Sequence, residues 1–180
     1  PANFYGDSKL QADVAVRELA DDTYKVIVLR PPMIYGKGSK GNYRTLAKLA
    51  KKLPVFPSVD NERSMLYIEN LCELLCQVML LKPYHRNSVV LLPQNGKWTK
   101  TSDMVKMIAK ASGKKMTELQ CLAPAVWIGS KMPGKIGGLV NKAFGNSCYA
   151  HELSLYKGVK YKKNTFIESI FRTEGNAKNY

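Results

Sequence analysis

Tyr5 and Lys9 stand four residues apart near the start of the chain, and on a helix that spacing puts both side chains on one face. A free phenol has a pKa near ~10 and is a poor base at neutral pH. An ammonium held beside it favours the phenolate, so such a pair could pass a proton to or from a hydroxyl while a hydride leaves the carbon. Taken alone the pair is a weak signal, because Tyr and Lys four apart are common on exposed helices. Two further segments carry different groups. Leu29-Arg30-Pro31-Pro32-Met33-Ile34-Tyr35-Gly36-Lys37-Gly38 reads as a strand end running into a glycine-bearing loop, and ligands of open α/β sheets bind beyond the carboxyl ends of strands. A plain Pro-Gly turn is the alternative there. Arg63-Ser64-Met65-Leu66-Tyr67-Ile68-Glu69-Asn70-Leu71 reads as a strand running into a helix. Arg63 at its start could grip a phosphate in bidentate fashion, or lie solvated in a hairpin.

The elements that would position these groups follow from periodicity. Residues 4–20 read as a helix with Leu10, Val14 and Leu19 on its apolar stripe and Gln11, Arg17 and Glu18 turned away. Lys25 to Arg30 is a short β-branched run, expected as a buried parallel strand. Asn42 can cap the next helix, whose apolar face holds Leu46, Leu49 and Ala50. Pro54 to Pro57 reads as extended, and residues 60–62 as a turn. A strand over Ser64 to Ile68 leads into a helix from about Asn70 to Leu81, with Leu71, Leu74, Leu75 and Val78 inward. Ser88 to Leu92 is a further strand, Thr101 or Ser102 caps a helix carrying Val105, Ile108 and Ala109, and Gly113 ends it. Residues 124–145 read as short helices in a mobile flap, and Tyr161 to Thr173 as an extended piece with a final helix. The alternation of strand and helix argues for an α/β fold.

The 180 residues suffice for one domain with its own core, and 45% hydrophobic content excludes a disordered chain. No apolar run approaches the ~20 residues of a membrane-spanning helix. The start, Pro1 already close to a helix, suggests an internal or processed segment. Lys plus Arg is 28 against 14 acids, a charge of +14 that favours anionic partners. Lys37, Lys40, Arg44, Lys48, Lys51 and Lys52 form one basic run, and seven lysines between Lys131 and Lys163 face only Glu152. Cys72 and Cys76 read as core positions, since free cysteine packs as a small hydrophobe. His85 and His151 lack ligand spacing, so no metal site is expected. Four cysteines without a framework fit the cytoplasm.

In this order the three motifs resemble extended short-chain dehydrogenase/reductases, and more narrowly the NAD-dependent epimerase/dehydratase family. The resemblance covers residues 1 to about 112 and is looser beyond, where Cys148 to Thr173 is similar to the family's closing strand and helix. It implies an α/β fold: the end of a Rossmann-type parallel sheet interleaved with a small mixed α/β substrate domain, in a single segment 1–180 from which the NAD-binding half is absent. It implies Tyr5 as catalytic acid/base, Lys9 on the nicotinamide ribose, and Pro32 near the nicotinamide. Asn42, with its helix start, and Arg63 would bind the substrate's diphosphate. The implied cofactor is NAD, with NADP left open. The implied substrate is a nucleotide sugar, a UDP-hexose above all, in sugar or surface-polysaccharide metabolism.

The sequence also departs from that pattern. Met33 stands where many relatives have Asn, Asn70 where Asp is usual, and no late Arg for the nucleotide is found. Gly134, Gly137 and Gly138 do not supply the missing dinucleotide loop. Alone, the segment is expected neither to bind NAD tightly nor to turn over. An open strand edge and the face of the tyrosine helix imply a homo-oligomer. Epimerase stands beside dehydratase or reductase. A module of another class, binding nucleic acid through Tyr156-Lys157 and Tyr161-Lys162-Lys163, is the alternative, against which no recognised nucleic-acid motif is present.

Overall fold

The β-branched run predicted as a strand forms β1 (Val26–Leu29), paired in parallel with β5 (Ser88–Leu91), Val26 opposite Ser88. A computed structural model describes residues 4–80 and 86–175 of the chain; Pro1, Leu81 and His85 lie outside them. Two more parallel pairs complete the described sheets. β2 (Met33–Tyr35) lies beside β4 (Met65–Tyr67), and β3 (Val55–Pro57) beside β6 (Thr117–Leu119). The helices are α1 (Phe4–Glu18), α2 (Asn42–Lys52), α3 (Ile68–Leu80), α4 (Thr101–Ala111), α5 (Ala123–Lys131), α6 (Lys135–Phe144) and α7 (Phe166–Glu174). Parallel strands need crossovers, and α2 and α3 lie in the connections that provide them.

Strand β4 divides the interior in two, because successive side chains point to opposite faces. Met65 and Tyr67 join a cluster built on α2, α4 and α7, with Leu46, Phe56, Met104, Ile108 and Ile170. Leu66, between them, joins a second cluster with Leu74, Val78, Leu91 and Tyr161, packed on Ile27 and Leu29 of β1. Helix α7 is set by a capping box, Thr165 with Glu168, and ends at Gly175 with φ 89°. It is tied to α2 through Glu174, which accepts from Tyr43 at 2.6 Å and pairs with Lys51 at 2.6 Å.

Several local expectations are corrected. Gly41 occupies the N-cap of α2 and Asn42 is its first helical residue, with no side-chain capping bond. Lys100 precedes α4, and it is Asn61 Oδ1, from a distant turn, that accepts from the Thr101 backbone N–H at 3.0 Å. Cys72 and Cys76 are exposed, because two residues rotate a helix by ~200° and Leu74 and Val78 hold the inward line. Leu75 faces out as well. The stripe of Leu10, Val14 and Leu19 on α1 is uncovered, and the half-buried positions are Gly6, Asp13, Arg17 and Ala20. Arg17, expected to turn outward, thus faces the domain.

Asn70 bridges three segments. Its Oδ1 accepts from the Asn164 N–H at 3.0 Å, and its Nδ2 reaches Asn164 O and Asn95 Oδ1, each at 3.2 Å. A carboxylate there could not donate to either oxygen, which gives a structural reason for Asn in place of Asp. Removing a fully buried amide leaves its partners unsatisfied, a cost of about 1–3 kcal/mol. Asn70→Ala should lower the urea-unfolding free energy by that amount; an unchanged midpoint would show that the bridge contributes nothing.

Candidate active site

Two residues singled out from sequence, Asn42 and Arg63, line one cavity of about 210 Å³ together with Met33, Leu46, Leu49, Thr101, Lys142 and Phe144. The first turn of α2 supplies Asn42, the segment entering β4 supplies Arg63, and α6 closes the third side. Arg63 is fixed by its own backbone. Its N–H donates to Thr99 O at 3.2 Å and its carbonyl accepts from Thr99 N at 3.0 Å. One guanidinium nitrogen donates to Gly145 O at 2.8 Å. Burial pushes the guanidinium pKa down, so Arg63 is a cation short of water, in a wall otherwise mostly apolar. Such a site binds an anion more strongly than the same arginine would in solvent.

Lys142 is the cavity's second cation and was not found in the sequence, where it is one lysine among seven. What brings it to Arg63 is a helical hairpin. Gly137 of α6 packs so closely that a Cβ there would meet the Met132 carbonyl oxygen at 1.9 Å, and α5 and α6 fold back on each other. Thr101 ties the end of α6 to α4, donating to Ala143 O at 2.7 Å.

Tyr5, Lys9 and Pro32 do not line this cavity. Tyr5 is 71% exposed and the Lys9 ammonium lies 5.7 Å from its ring centroid, so the two do share a face. Pro32 stands between the carboxyl end of β1 and Met33, the cavity residue next to it in the chain. Asp13, one turn beyond Lys9, fastens α1 to that strand end. Arg30 grips its carboxylate through Nε at 2.7 Å and a terminal nitrogen at 3.0 Å, and Arg17 adds a contact at 2.7 Å. Arg30 of the second motif thereby orients the helix of the first.

A dinucleotide's nicotinamide end suits these residues: an open Tyr–Lys face, and a proline just past the carboxyl end of a parallel strand. The dinucleotide phosphates are not matched equally well. Gly36-x-Gly38-x-x-Gly41 lies between β2 and α2, the context of a phosphate loop. However, the hollow beside it is lined by the Glu174 carboxylate, paired with Lys51, and by Arg44, so its charge is mixed.

Parallel strands joined through helices define an α/β fold. The chain superposes over 99% of its length on UDP-N-acetylglucosamine 4-epimerase from Bacillus cereus, covering 57% of it, with TM-score 0.65 and 13% identity. It superposes over 99% on dTDP-glucose 4,6-dehydratase from Bacillus anthracis in complex with NAD, covering 53%, with TM-score 0.62 and 21% identity. At such identities the likeness is one of fold. UDP-glucose 4-epimerase of Vibrio cholerae is 32% identical over 142 residues, 77% of this chain and 42% of that protein. Residues 1–89 match the NAD dependent epimerase/dehydratase family, and the chain belongs to that family. It spans 42% of the length of that curated relative.

The hydrogen bond from Arg30 holds the Asp13 carboxyl below its ordinary 3.8. A depressed folded-state value means that the clamp contributes stability above 3.8 and loses it as pH falls through the lower folded value. An NMR titration should place the Asp13 midpoint below 3.8, and Arg30→Gln should raise it; a wild-type midpoint at or above 3.8 would contradict the clamp.

Proposed function

We propose that the chain supplies the substrate cavity and the Tyr–Lys helix of an NAD-dependent nucleotide-sugar epimerase of the UDP-hexose 4-epimerase type, working in the cytoplasm in sugar or surface-polysaccharide metabolism. The observation that carries this is the convergence of Asn42, Arg63 and Lys142 on one cavity. Arg63 and Lys142 would neutralise the diphosphate, Arg63 being already partly dehydrated and held by backbone bonds. The first turn of α2 would add its free N–H groups. The apolar walls from Met33, Leu46, Leu49 and Phe144 would exclude water around the pair.

NAD, when bound, supplies the place where the hydride is held between its two transfers. Tyr5 would accept the proton of the sugar hydroxyl as the hydride departs and give it back on return. Lys9 would hold the cofactor ribose and favour the phenolate. Pro32 would pack near the nicotinamide. Return of the hydride to the opposite face would invert the carbon. The alternative within the family is a dehydratase or reductase that diverges after the same first step.

With UDP-glucose, UDP-galactose and NAD given to the protein containing this chain, interconversion is expected. Tyr5→Phe should slow it by about a hundred- to ten-thousandfold. Arg63→Met should weaken binding of UDP by roughly tenfold or more. Absence of turnover on every UDP-sugar, with binding of UDP unaffected by Arg63→Met, would remove this function. Self-association is part of the same proposal. α1 leaves Phe4, Leu10, Val16 and Leu19 exposed, and among the described residues β1 pairs only with β5. Sedimentation should show a dimer or larger assembly, and a monomer at high concentration would count against it.

A further inference from the structure

The second lysine-rich stretch, Lys157 to Lys163, takes no part in the cavity around Arg63, yet it encloses a hollow of its own. One continuous loop over residues 154–163 curls around about 680 Å³ and shares no lining residue with the first cavity. The loop is held rigidly from outside. Tyr161 is 2% exposed, and its hydroxyl donates to Gln94 O at 2.9 Å and accepts from Gln94 N at 3.1 Å. The backbone of Lys160 is bound at both its N–H and its carbonyl by the Gln77 side chain, at 2.9 and 3.1 Å. Lys163 is paired with Glu73 at 2.7 Å.

Rigid anchoring leaves three other lysines facing the hollow without a counter-charge. Among the described residues, Lys157, Lys160 and Lys162 make no ion pair within 4.0 Å. Lys162 is half-buried; its ammonium donates to Ser154 Oγ at 2.7 Å, and burial pushes its pKa down. Like charges held together in one loop repel, and a multivalent anion relieves that repulsion while restoring bonds to the dehydrated ammonium. Apolar groups share the lining: Leu155 is 69% exposed, and Tyr156, partly buried against the second core cluster, stacks on Tyr161 with centroids 5.9 Å apart. The part of an aromatic ring left open beside cations offers a base a stacking surface.

We propose that the 154–163 loop is a second ligand site, separate from the nucleotide-sugar cavity, for a nucleoside polyphosphate: phosphates toward Lys157, Lys160 and Lys162, and the base against Tyr156 and Leu155. The hollow is within the size range of small-molecule sites. It stands independently of the epimerase assignment, since it uses none of that site's residues.

The test is an amide NMR titration of the chain with ATP. Saturable shifts are expected within residues 154–163. The double substitution Lys157→Gln, Lys160→Gln, of two exposed side chains, should weaken affinity by roughly tenfold or more. Arg63→Met should leave it unchanged. Shifts that do not saturate, that cluster around Arg63 and Asn42, or that survive the double substitution at full affinity would overturn the site. Much tighter binding of a polyuridine strand than of ATP would also overturn it, in favour of an extended nucleic-acid surface. Loss of UDP binding on Arg63→Met with ATP binding intact keeps the two sites distinct.

Discussion

Two adjacent buried carboxamides, Gln94 and Asn95, hold the rest of the structure together. Gln94 accepts from Ser64 Oγ at 2.6 Å and donates to the carbonyls of Tyr149 and Ala150 at 3.1 and 3.0 Å. Asn95 accepts from the Tyr67 N–H and from Asn70, and donates to the Tyr35 hydroxyl at 3.0 Å, which contacts Ser169 of α7 at 2.6 Å. Burial pushes the Tyr35 phenol up to about 12, so it remains a neutral partner across the ordinary pH range. The described strands lie in three separate pairs, four of the six strands only three residues long. Such pairs bury little by themselves. The carboxamides join β2, β4, α3, the loop at 149–161 and α7 into one body, and each net bond of about 1 kcal/mol is backed by the larger cost of leaving it unmade.

The cavity inherits its rigidity from that junction. Ser64, bonded to Gln94, also accepts from the Tyr149 N–H at 2.8 Å, and its own N–H donates to Ser147 O at 2.9 Å. Arg63 is the preceding residue, so its backbone cannot move without breaking this set. A cation that must stay partly dehydrated while waiting for an anion needs such support, because an unsupported arginine would swing into water. Pre-organisation of this kind lowers the ordering cost of binding.

Much of this was legible in the residues, and what was not has identifiable causes. The apolar faces of α2 and α4 were read correctly because Leu46, Ala50, Val105 and Ile108 repeat at helical spacing and are all buried. The closing helix was expected within Tyr161 to Thr173, while its capping box, Thr165 with Glu168, is seen in the structure. The strands β2 and β6 were not resolved as strands, being too short for a period; they exist through partners 32 and 62 residues away, Met65 for Met33 and Val55 for Thr117. The orientation of α1 was misjudged for a related reason. Periodicity favoured Leu10 and Val14, whereas the inward face is chosen by Asp13 and a partner, Arg30, 17 residues later. Asn42 and Arg63, singled out through the family resemblance, do line one cavity, whereas Lys142 reaches it only through the α5–α6 hairpin, which no local spacing reveals.

The two parts of the proposed site are therefore held by forces of different kinds. Arg63 rests on a buried, neutral hydrogen-bond network that salt does not screen. Tyr5 and Lys9 ride on a helix fastened by the Asp13–Arg30 pair, whose arginine side chain is 42% exposed, and exposed pairs are weak and salt-sensitive. Displacements near 1 Å are enough to cost a proton-transfer step heavily. Under the proposed function, substrate grip and proton transfer would then respond to different conditions. The cavity keeps its shape wherever the domain is folded, while the placing of the Tyr–Lys pair depends on the Asp13 clamp and on whatever packs against the exposed apolar face of α1.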